Sequence, residues 1–130
     1  MRRLPALLAL VLAAPVLAQG TPAQMAFLQA ADAGDAAAMG RMLPGRVGVR
    51  GGASMPSKEF LKMLSACYLR RVSAGDGGAM MANWMCREGE GSKMVLARVL
   101  DEGGSVVVEG VAETVLKTPP PPRTGSALGG

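Results

Sequence analysis

The chain has 130 residues, 18% charged and 49% hydrophobic, with a net charge of +4 that falls to +2 once Arg2 and Arg3 are set aside. That charge is too small and too scattered for a nucleic-acid footprint, and no basic run alternates with aromatics. There is no histidine, which removes the commonest general base and the commonest transition-metal ligand.

Met1-Arg2-Arg3 is a basic start, and Leu4 to Leu17 is an apolar run that ends in Val16-Leu17-Ala18 before Gln19. This order reads as a signal peptide over residues 1–18, cut close to Gln19. The run is shorter than the roughly 20 apolar residues of a membrane span, and Pro5 and Pro15 break it. The expected mature protein is therefore periplasmic or secreted, without a membrane anchor. About 110 residues remain, the size of one domain.

A first helix is expected over Pro22–Ala33, with proline at an early helical position and Met25, Phe27, Leu28 and Ala31 on its apolar face. Gly34 can close it, and Asp35 can cap a second short helix over Ala36–Met42. Residues 46–53 read as a short strand followed by a glycine hinge. A third helix is expected over Pro56–Val72, with Glu59 early, Arg70 and Arg71 late, and Phe60, Leu61, Leu64, Cys67, Tyr68 and Val72 as its buried stripe.

The pattern then changes. Met80, Ala82, Trp84 and Cys86 alternate along a strand over Met80–Glu88. Further strands are expected over Lys93–Leu100 and Ser105–Leu116, joined at Asp101-Glu102-Gly103-Gly104, with Gly110 marking a bulge or bend. Helices first and antiparallel strands later imply an α+β domain over residues 19–118. The Pro- and Gly-rich segment 119–130 is expected to be a disordered tail.

Cys67 and Cys86 are the two cysteines. In an oxidising compartment they pair as a disulfide; otherwise they remain two buried thiols. Without histidine, and without CxxC spacing, they suggest neither a metal site nor a redox motif.

Phe27-Leu28, Gly34-Asp35, Met39–Leu43, the segment Glu59-Phe60-Leu61 with Leu64 and Cys67, the strand Asn83-Trp84-Met85-Cys86 and the closing hairpin Val95–Val99 with Val106–Val115 together resemble the nuclear transport factor 2-like superfamily over residues 22–116. The resemblance implies three N-terminal helices packed on a curved antiparallel sheet, forming a cone-like pocket between Phe60–Tyr68 and the Trp84–Cys86 face. A dimer is frequent in that superfamily. If that face packs on the third helix, Cys67 and Cys86 come within bonding reach.

Ketosteroid isomerases of the superfamily use an aspartate base and an oxyanion hole of tyrosine and protonated aspartic acid. This chain has Phe27 where the tyrosine would be sought, and Asp32 and Asp35 read as a helix end and a cap. Tyr68 is a core-edge residue or a pocket hydroxyl. Trp84 is a core aromatic or a stacking wall. Arg98 interrupts the face of Met94, Leu96 and Leu100, so it points outward or into a polar cavity. No catalytic group, cofactor or metal is assigned.

The expected function is a non-catalytic binding module for a small apolar ligand or a protein partner, with Phe60, Leu64, Tyr68, Trp84 and Arg98 as candidate binding residues. The alternatives are an isomerase-, cyclase- or hydratase-type enzyme acting on a hydrophobic molecule, and a module whose sheet makes a homodimer.

Overall fold

A computed structural model of the protein describes residues 20–129. The expected signal peptide, residues 1–18, lies outside them. Helix α1 is Pro22–Asp32 and α2 is Ala36–Met42. Strands β1 (Arg46–Gly48) and β2 (Ser54–Pro56) form a two-stranded sheet, and α3 is Ser57–Met63. The chain then enters β3 (Cys67–Ala74), β4 (Met80–Glu88), β5 (Gly91–Glu102) and β6 (Ser105–Leu116), an antiparallel sheet in sequential order. Among the described residues no helix is long and apolar enough to cross a membrane.

The start of α1 is fixed by a reciprocal cap. The Gln24 amide donates to Thr21 Oγ1 at 3.2 Å, and the Thr21 amide donates to Gln24 Oε1 at 2.9 Å. Gln24 Nε2 then donates to the carbonyls of Gly78 at 2.8 Å and Val99 at 2.9 Å. One buried side chain thus starts the helix and ties it to β5. At the other end the chain reverses through Gly34, whose φ of 72° suits glycine. Asp35 Oδ1 accepts from the Ala38 amide at 3.0 Å and caps α2.

The sheet separates its residues by alternation. Register places Trp84 opposite Val95, Ala82 opposite Ala97, and Met80 opposite Val99. These form the inner face and are buried with Phe27, Leu28, Phe60, Leu69, Val72, Val108 and Val111. The outer face carries Tyr68, Met85 and Met94 in one row and Asn83 beside Leu96 in the next. The β5–β6 register shifts between Leu96 and Arg98, which pair with Ala112 and Glu109 of β6. Gly110 lies there with φ of 66°, a bulge that lets Val108 and Val111 both turn inward.

Two expectations are overturned. The third helix does not run to Val72: it ends at Met63, a 3₁₀ turn follows over Leu64–Ala66, and Cys67–Ala74 is a strand. A bulge explains the misreading. The β3–β4 register shifts between Leu69 and Arg71, so the inward residues Leu69 and Val72 fall three apart, which imitates helical spacing. The cone-like pocket is also absent. The four-stranded sheet dominates, a separate two-stranded sheet stands beside it, and the helices are N-terminal rather than the lining of a cone. With α3 only seven residues long, the Phe60 end of the space assigned to the pocket is occupied by core. Phe60 is fully buried and meets Trp84 edge-on, ring centroids 6.0 Å apart and planes at 87°.

Segment 119–130 is expected to be a disordered tail, and residues up to 129 are described. Those residues have no regular secondary structure, yet they return to the domain, with Ala127 and Leu128 packed against the core.

Candidate functional site

An apolar cleft of 260 Å³ lies between the α1–α2 junction, the end of α3, the start of β3 and the middle of β4. Trp84 lies at its base. Met39, Leu61, Leu64 and Cys67 line it, with Ser65 as the one hydroxyl. Ala31, Gly34 and Ala36 complete the lining. Their small size leaves the space open, because the reversal at Gly34 brings two helix ends together without a bulky side chain. Among the described residues, no carboxylate, ammonium or guanidinium group belongs to the lining. The cleft can therefore exclude water from an apolar group. Its lining supplies no side chain of ordinary acid–base strength.

The five candidate binding residues do not converge. Leu64 and Trp84 share the cleft. Phe60 stands behind Trp84, inside the core. Tyr68 lies on the outer face, where its hydroxyl donates to the Pro121 carbonyl at 2.6 Å. Arg98 is also on the outer face, with Nε 3.2 Å from Glu109 Oε2 and Nη2 3.4 Å from the Asp76 carbonyl. Tyr68 and Arg98 thus belong to no helix-side pocket.

Cys67 and Cys86 are bonded, but as neighbours on adjacent strands rather than from helix to sheet. They face each other in the β3–β4 register, Cα atoms 4.0 Å apart. Cys67 is thereby fixed at the rim of the cleft. Among the described residues, no group of three or more Cys, Asp or Glu side chains gathers in a way that could hold a metal ion.

Sequence reasoning missed Met39 and Leu61 as lining residues, because helical periodicity marks both simply as apolar. It also missed Asp32. This side chain is 14% exposed and receives Arg123 Nη2 at 3.2 Å, Ser126 Oγ at 2.7 Å and the Ala127 amide at 2.9 Å. The signal was present: an acid in the last turn of a helix opposes the helix dipole and needs donors from elsewhere. On the outer face, Asn83 Oδ1 is buried without a hydrogen-bond partner.

No family model matches the chain, and no curated protein matches it. Among solved structures it is similar to a DUF4783 family protein from Bacteroides ovatus ATCC 8483, at 9% identity and a TM-score of 0.49, over 75% of this chain and 97% of that one. A likeness of that size carries no argument about activity.

Proposed function

We propose that this chain is an exported, non-catalytic binding module that takes a small apolar ligand, or one apolar group of a larger one, into the cleft above Trp84. The observation that carries the reading is the lining itself: aliphatic and sulfur-containing side chains around an indole, with a single hydroxyl. The cleft's 260 Å³ lies just below the usual range of about 300–1,000 Å³ for ligand pockets, so the ligand is small or only partly enclosed. The Cys67–Cys86 bond is compatible with an oxidising compartment. Together with the basic and apolar start of the chain, it supports a periplasmic or secreted location. The order of elements supports the resemblance to the nuclear transport factor 2-like superfamily, as part of the same proposal.

Trp84 is the only tryptophan, so the test has an internal reporter. The uncharged fluorophore 1-N-phenylnaphthylamine, titrated into the mature protein, is expected to show saturable emission sensitised by Trp84. Ala36→Phe, which fills the cleft from the start of α2, is expected to weaken that uptake at least about tenfold, or about 1.4 kcal/mol. Absence of saturable uptake, or equal uptake by Ala36→Phe, would refute the reading.

A further inference from the structure

On the other side of the sheet, and independently of the cleft, the geometry points to a recognition groove for proline-rich segments, formed by Tyr68, Met85 and Arg87 and occupied by the chain's own Pro120, Pro121 and Pro122. The argument starts from the sequence Thr118-Pro119-Pro120-Pro121-Pro122. Each proline fixes its own φ, and each residue before a proline is held extended. Such a run is a polyproline II helix, stiff before it binds, with no N–H donors and with carbonyls pointing outward. What recognises it is an apolar, aromatic surface carrying a donor for those carbonyls.

The outer face supplies both parts. The Tyr68 hydroxyl donates to the Pro121 carbonyl at 2.6 Å. Met85 faces away from the core, yet it is only 2% exposed, and prolines 120–122 line the same recess as its side chain. The tail does not fill the groove. A recess of 420 Å³ remains between Tyr68, Met85 and Arg87 on one side and those prolines on the other. A segment of better fit therefore has room.

What holds the tail lies beyond the groove. Arg123, Ser126 and Ala127 all bond to Asp32 at the end of α1, and Arg123 Nη2 also donates to the Asp32 carbonyl at 2.9 Å. The latch keeps the prolines at high local concentration, so the tail competes in place with a proline-rich segment of another protein. Opening the latch frees the groove without altering it.

The test uses the full mature chain and the synthetic peptide acetyl-Thr-Pro-Pro-Pro-Pro-Arg-Thr-amide, read by the amide shifts of Met85 and Arg87. Arg123→Ala, and separately Asp32→Ala, are expected to bind the peptide at least about tenfold more tightly than the parent chain. Tyr68→Phe added to Arg123→Ala is expected to lose about fivefold or more, and a peptide with alanine at the four prolines is expected not to bind. No saturable shift in the Arg123→Ala chain would overturn the groove, as would indifference to Tyr68→Phe or to the alanine peptide. Equal affinity of the parent and latch-open chains would overturn the competition by the tail.

Discussion

Breaking the Cys67–Cys86 bond is the most informative perturbation of the fold, because the bond secures an edge strand that only β4 pairs. The two cysteines are 19 positions apart. For a closed loop of about 20 residues, the chain-entropy relation gives a stabilisation of about 3.3 kcal/mol at 25 °C. For about 110 folded residues, an unfolding entropy of about 2.1 cal/mol/K per residue makes the total about 0.23 kcal/mol/K. The melting midpoint should therefore fall by about 14 °C. Two samples separate the cross-link from its packing: the reduced parent, which keeps both thiols, and Cys67→Ala/Cys86→Ala, which also removes sulfur from the buried position of Cys86. Both are expected to shift the guanidinium chloride transition, the alanine pair somewhat further. The bond lies at the end of the β3–β4 register opposite the connecting turn Asp76–Gly78. Amide exchange at Tyr68 should consequently accelerate more than exchange at Ser73. A loss below about 1 kcal/mol in both samples would refute the entropic account.

Gln24→Leu should cost about 3 kcal/mol in urea denaturation, because it strands the Gly78 and Val99 carbonyls and removes half of the α1 cap; a loss under about 1 kcal/mol would contradict the tie between helix and sheet. Gly110→Ala should cost about 1–2 kcal/mol, measured the same way, from its φ of 66° alone. The new methyl would meet Arg98 Cδ at an ordinary 3.5 Å. Arg98→Met should change stability by less than about 1 kcal/mol, since its Glu109 partner is exposed. It should leave naphthylamine uptake unchanged, and weakened uptake would place Arg98 in the site after all.

Much of the local structure was legible in the residues. Pro22 at an early helical position, then Gly34-Asp35, marks two helices by chemistry that acts within a few residues, whereas the Thr21–Gln24 capping box was not read. The strand Met80–Glu88 buries Met80, Ala82, Trp84 and Cys86 as their alternation predicts, although Met85 on the other face is buried as well. β3 was not legible, because its bulge at Arg70–Arg71 removes the period of two where a reader depends on it. The cysteine pairing was expected, but from a helix-to-sheet contact that does not exist; the true cause is register between neighbouring strands. The cleft was partly legible. Leu64 and Trp84 were identified, whereas Tyr68 went to the opposite face once its segment became a strand. The tail was misjudged because composition measures the absence of a core-forming pattern. It does not register one carboxylate, Asp32, that collects three distant donors.

The bulge at Gly110 also bears on self-association. Beside it, Val49 bridges Val111 and the Arg50 amide donates to the Val111 carbonyl at 2.9 Å, so part of the last strand is sealed by an earlier loop. Beyond Val111, the strand ends the sheet with Val115 65% exposed and Leu116 36% exposed. A bare hydrophobic margin of this kind invites a neighbouring molecule to add a strand. Glu113, held by Lys93 at 3.4 Å, and Lys117 place charge on either side of that stretch. Charge flanking an exposed strand edge disfavours edge-to-edge pairing of copies along such a rim.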